Sequence, residues 1–157
     1  MNKQKQIYKE LYNIGSNYGH HDFNTKKRSR EIDYIIQYRP ESVLDIGCGS
    51  NDLCRVLKQS GISKCIGVDF ASPTADVIAS AQDLPFDNKS YDLITCSDVM
   101  EHIPKDEINI CLTEFSRVGK RIYTKIALFP DVQHNGVDLH PCVEAPHWWI
   151  NMFKNFC

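Results

Sequence analysis

The stretch Val43-Leu44-Asp45-Ile46-Gly47-Cys48-Gly49 constrains this chain more than any other. A short apolar strand runs straight into two glycines. Ser50 or Asn51 then caps a helix carrying Leu53, Val56 and Leu57, which Gly61 stops. A strand that passes through a tight glycine turn into a helix is the opening unit of a parallel sheet. The alternation continues downstream. Lys64 to Val68 reads as a second strand, Asp76 to Ser80 as a third, Tyr91 to Cys96 as a fourth and Arg121 to Leu128 as a fifth. Pro104 fits the first turn of a helix with Asp106 and Glu107 near its positive end, and Ile108, Cys111, Leu112 and Phe115 form its inward face. Trp149, Met152, Phe153 and Phe156 mark a last helix. The expectation is an α/β fold: a parallel sheet of about five strands with helices on both faces.

The 157 residues make room for one domain. Residues 1–40 read as a helical cap, with Ile7, Leu11 and Ile14 at helical spacing. A second helix there, about Lys26 to Tyr38, turns Ile32, Ile35 and Ile36 inward and is closed by Pro40. Residues 41–128 form the core, and 129–157 a substrate-side loop and the last helix. No apolar run approaches the roughly 20 residues that a membrane span needs, and the start lacks the apolar core of a secretory signal. The seven cysteines are scattered without a C-x-x-C pair, and several stand in apolar runs. They point to buried thiols in a reducing, cytoplasmic compartment rather than to zinc or disulfides. Residues 1–40 hold eight Lys/Arg against four Asp/Glu, while the remainder holds ten against sixteen. The basic end includes Lys26, Lys27, Arg28 and Arg30, which suit an anionic acceptor or simply form a solvated helix face.

In open α/β sheets ligands bind beyond the carboxyl ends of the strands. The first strand ends in Asp45-Ile46-Gly47-Cys48-Gly49-Ser50-Asn51-Asp52. This is not the dinucleotide pattern G-x-G-x-x-G, because Asp52 stands at the third glycine. A carboxylate two residues before the first glycine repels a pyrophosphate and suits a ligand bearing an ammonium group.

The same segment resembles the first motif of class I S-adenosylmethionine-dependent methyltransferases. So do Gly67-Val68-Asp69, the run Ala81 to Phe86, then Ser90 to Thr95, then Val99 to Pro104, in order and spacing across residues 43–118. The resemblance implies a Rossmann-like class I fold with S-adenosyl-L-methionine as cofactor. It places Gly47 and Gly49 along the methionine part, with Asp45 near its amino group. It gives Asp69 the ribose hydroxyls and Asp83 the adenine amino group, with the Leu84 backbone beside it. Ser97 offers backbone contacts to the methionine. Two departures from the family are visible. Phe70 to Ala75 is too short for the usual crossover helix, so that helix is expected to be reduced and the adenine side more open. The chain given also holds no sequence for the final antiparallel strand pair, so strand five is expected to be an edge, covered by residues 129–147 or by a homodimer.

Methyl transfer asks mainly for alignment, with a base for an oxygen or nitrogen nucleophile. Asp98, Glu101, His102 and His140 are the candidates, and we expect Asp98, His102 and His140 to serve. Trp148 and His140 are the pocket residues expected from the His/Trp-rich segment that also holds His134, His147 and Trp149. Asp98-x-x-Glu101-His102 is also similar to the metal-binding signature of small-RNA 3′-end methyltransferases, whose later histidine has His140 as its counterpart here. We expect no metal. The acceptor expected is a small molecule, glycan or nucleotide, without a membrane and with larger nucleic acids less favoured. Two alternatives remain: a metal-dependent RNA-terminus methyltransferase, and a reduced domain that binds cofactor or partner without transfer.

Overall fold

The computed structural model describes residues 3–13, 26–130, 136 and 138–156. Helices α1 (Lys3–Asn13) and α2 (Lys26–Gln37) precede β1 (Ser42–Ile46), α3 (Asp52–Gln59), β2 (Lys64–Asp69), β3 (Val77–Ile78) and β4 (Leu93–Ser97). Two single 3₁₀ turns, Met100–His102 and Lys105–Glu107, lead into α4 (Ile108–Val118), followed by β5 (Ile122–Lys125) and α5 (Pro146–Lys154). The strands form one sheet in the order β3-β2-β1-β4-β5, and every pairing is parallel. The order reverses at β1 and β4, so their carboxyl ends frame the crevice where ligands of such sheets bind.

Packing follows the sequence pattern with local exceptions. Ile108, Cys111, Leu112 and Phe115 of α4 are wholly buried against Leu44, Ile46, Ile94 and Cys96 on one sheet face. Ile35 of α2 packs with Val43, Leu53, Leu57 and Leu93 on another cluster. Ile36, expected inward, is 37% exposed, because it follows Ile35 by only about 100° of helical turn. Among the described residues no helix is long and apolar enough to cross a membrane.

The strands are shorter than their apolar runs. β3 keeps two residues and β5 four, since pairing, not propensity, sets their length. No helix joins β2 to β3. Instead the connection is pinned to the glycine turn: Ser72 Oγ and Thr74 Oγ1 donate to the Gly49 carbonyl at 2.5 and 3.0 Å. The helix cap expected at residues 50–51 is also corrected. Asn51 adopts a left-handed φ of 61° and makes no side-chain cap bond. Its amide donates across to the Thr74 carbonyl and to Asp76, so the residue ties the short connection down. Asp76 in turn accepts the Gly67 amide at 2.8 Å. Gly67 has no room for a Cβ, which would overlap Asn51 and Cys48. Close passage of β2 under the turn therefore requires glycine there.

Candidate active site

The glycine turn closes the crevice on the β1 side. Gly47 has φ +72° and a Cβ there would collide with the Val99 side chain, so both its conformation and its contact demand glycine. The amides of Gly47 and Cys48 donate to the Val68 carbonyl at 2.8 and 3.0 Å, and Gly49, also at positive φ, donates to Asp69 Oδ2 at 3.2 Å. Asp45 is buried on β1 and accepts from Thr95 Oγ1 at 2.8 Å.

Asp69 is buried at the end of β2. Its Oδ1 accepts the amides of Ala71 and Ser72 at 2.8 and 3.0 Å. Tyr12 of α1 reaches its Oδ2 at 3.5 Å. The carboxylate is thus fixed in orientation, and the long contact from Tyr12 is the one that an incoming hydroxyl can best replace.

On the side assigned to the adenine, the backbone is tied to α4. Asp83 is exposed on a turn closed by the bond from its amide to the Ser80 carbonyl at 3.0 Å. The Leu84 amide donates to Glu114 Oε2 at 2.9 Å, and Arg117 holds the Leu84 carbonyl at 2.8 Å. The reason is that α4 carries Glu114 and Arg117 one turn apart, and both engage the 84–86 backbone. The Ser97 hydroxyl donates to Glu31 of α2. Sequence reasoning passed over Glu31, because a single glutamate on a polar helix carries no signal without its partner.

A second cluster lies after β4. The coordinating atoms of Glu101, His102 and His140 lie within 4.8 Å of one another, and the two imidazoles meet edge to face at 4.6 Å. His102 Nδ1 is 2.7 Å from the Leu139 carbonyl and from the Tyr8 hydroxyl, and His140 Nδ1 is 2.7 Å from the Phe129 carbonyl. A carbonyl only accepts, so Nδ1 carries the proton in each ring and Nε2 is the basic nitrogen of the neutral form. Glu101 is fully buried; its Oε1 accepts the Ala127 amide at 2.9 Å, and its Oε2 has no hydrogen-bond partner. Burial raises its carboxyl pKa, offset in part by backbone amides.

Asp98 does not join this cluster. It takes a left-handed φ of 57° and pairs with Lys125 at 2.5 Å. The helical turn that would have put residues 98, 101 and 102 on one face begins only at Met100. Trp148 is half-buried against Trp149 with the Lys105 ammonium 5.1 Å over its ring, and Trp149 is core. His147 is exposed; His134 and Ile14 lie outside the described residues.

A parallel sheet with a glycine turn after its first strand and a buried carboxylate ending its second defines a class I, Rossmann-like cofactor-binding domain. A family model for a methyltransferase domain matches residues 18–117, and the chain belongs to that family. The ubiquinone biosynthesis O-methyltransferase of Saccharophagus degradans is 28% identical over 104 residues, 54% of this chain and 42% of that protein. The magnesium protoporphyrin IX methyltransferase of Synechocystis PCC 6803, solved with S-adenosylmethionine bound, is 16% identical at a TM-score of 0.59, over 79% of this chain and 76% of its own. The small RNA methyltransferase HEN1 is 17% identical at a TM-score of 0.60, over 87% of this chain and 22% of its own. The chain spans less than half the length of the curated relatives it matches.

The residues present fit S-adenosylmethionine as the family's cofactor. The turn at Gly47 admits no side chain, and buried carboxylates stand at the ends of two adjacent strands, suited to an ammonium and a pair of hydroxyls. Glu101, His102 and His140 also form a donor set that fits a divalent cation, with an unpartnered carboxylate oxygen and two imidazoles oriented by carbonyls.

Proposed function

We propose that this domain transfers the methyl group of S-adenosylmethionine to an oxygen or nitrogen nucleophile of a small, uncharged or anionic acceptor. One observation carries the reading. Tyr8 contacts His102 and Tyr12 contacts Asp69, and residues four apart on a helix face are about 6 Å apart at Cβ. Neighbouring side chains on one face of α1 therefore touch both the His102 imidazole and the carboxylate assigned to the ribose. In this reading Asp69 fixes the ribose, Gly47 and Gly49 cradle the methionine part with Asp45, and Asp83 takes the adenine amino group. His140 or His102, through Nε2, removes the acceptor's proton as the nucleophile attacks in line. The buried thiols fit a reducing, cytoplasmic setting. Calorimetry with S-adenosylmethionine, followed by a product assay over an acceptor panel, tests the proposal. Binding without turnover on any acceptor favours a cofactor-binding domain, and no binding overturns the reading.

A second reading adds a divalent cation, supported by the unpartnered Glu101 Oε2 beside His102 and His140. These three residues would hold it, and it would supply Lewis-acid activation of an acceptor hydroxyl, as at an RNA terminus. Loss of turnover in a chelator, restored by magnesium or manganese, selects this reading; turnover unchanged by the chelator selects the first.

A further inference from the structure

Glu31 is a carboxylate only 3% exposed. One oxygen accepts from the Ser97 hydroxyl; Oε2 is buried without a hydrogen-bond partner, and among the described residues no cation pairs with Glu31. An ionised oxygen left so is costly unless a donor arrives.

The fold says where that donor belongs. Ile35 of α2 packs with Val43 and Leu93, at the beginnings of β1 and β4, while Glu31, one turn earlier, meets Ser97 at the end of β4. α2 thus runs antiparallel to the strands, and its earlier turn overhangs their carboxyl ends. Leu93, Thr95 and Ser97 alternate onto one sheet face, and Thr95 donates to Asp45 on the neighbouring strand. Glu31, Ser97, Thr95 and Asp45 therefore make one polar row leading to the Gly47 turn. The row contains two carboxylates, and both of its hydroxyls already donate to them. Within that row it is Glu31 Oε2 that still has no donor.

We infer that Glu31 binds the α-ammonium of the cofactor's methionine part through Oε2. The inference rests on the S-adenosylmethionine reading above. An ammonium offers three donors and one charge, which satisfies the unpartnered oxygen and neutralises part of the row.

The test uses the whole chain and two ligands: S-adenosylhomocysteine, which carries the ammonium, and 5′-methylthioadenosine, which lacks the amino-acid head. Glu31→Gln should weaken S-adenosylhomocysteine about ten- to hundredfold by calorimetry and leave 5′-methylthioadenosine unchanged. Without ligand the variant should melt no lower than the parent, because it removes a buried carboxylate oxygen that has no hydrogen-bond partner. Unchanged affinity for S-adenosylhomocysteine, with the parent binding well, overturns the inference alone. Equal losses for both ligands, or a variant that does not fold, show that Glu31 merely seats α2 and also overturn it. A parent that binds neither ligand overturns the cofactor reading and the inference together.

Discussion

Asp69 concentrates two jobs in one side chain. Its oxygens hold the amides of Gly49, Ala71 and Ser72, which belong to two different loops. Asp69→Ala should therefore lower both cofactor affinity and fold stability. Each lost bond to the charged acceptor costs on the order of 1.5–3 kcal/mol, read by calorimetry and by the urea midpoint. Unchanged affinity would show that the ligand lies elsewhere. His140 separates the two quantities. It stands with Glu101 and His102 in the cluster after β4, so His140→Ala should cut turnover by about 10²–10⁴ while S-adenosylmethionine binds as before. The positions of Gly47, Asp45 and Asp69 were legible in the sequence because they depend on a local strand-to-turn pattern. Glu101 was legible as a candidate, but its union with His140 without Asp98 depends on where β4 ends and on a loop that meets His102 from 37 residues further on. The bond that holds the Leu84 amide was not legible for a similar reason: Glu114, thirty positions away, makes it.

Among the elements, α4 does more than fill the core. Its Glu114 and Arg117 clamp the segment from Leu84 to Phe86 through five hydrogen bonds to one another and to the backbone. The Arg117 guanidinium, chiefly by its hydrogen bond, holds the Glu114 carboxyl below its ordinary range. A depressed carboxyl pKa means that the unfolded chain binds the proton more readily. The pair's contribution is therefore present above the ordinary value of 4.5 and is lost as pH falls through the lower folded value. Urea midpoints of Glu114→Gln should accordingly fall less steeply than the parent's below pH 4.5. An identical slope would remove the clamp from the acid response. The order and type of these elements follow from hydrophobic periodicity. Their ends do not: β3 and β5 are cut short where neighbours stop pairing.

At the scale of the molecule, the outer side of β5 pairs with no strand among the described residues. Beside it Leu128, Phe129 and Ile150 are exposed, and a cavity of about 490 Å³ lined by Thr124, Ile126, Leu128, Trp149, Ile150 and Phe153 opens next to it. An unpaired edge beside apolar surface favours self-association. Light scattering at micromolar concentration should report a dimer that a lysine at Ile150 disperses; a strict monomer would leave the edge bare. Nothing in the sequence announced this cavity, because α5 and β5 are separated by a stretch without periodicity.

Helix α1 rests with one tyrosine on each half of the site, Tyr12 at Asp69 and Tyr8 at His102. A ribose that takes over Oδ2 displaces the first contact and, through a rigid helix, resets the second. The two substrates then cannot enter independently. Initial-rate kinetics should show compulsory order, with the methyl donor first and the demethylated product last to leave. S-adenosylhomocysteine should inhibit competitively against the donor and noncompetitively against the acceptor. Removing the hydroxyls with Tyr8→Phe and Tyr12→Phe should loosen that order toward random entry, at little cost to the affinity for either substrate alone.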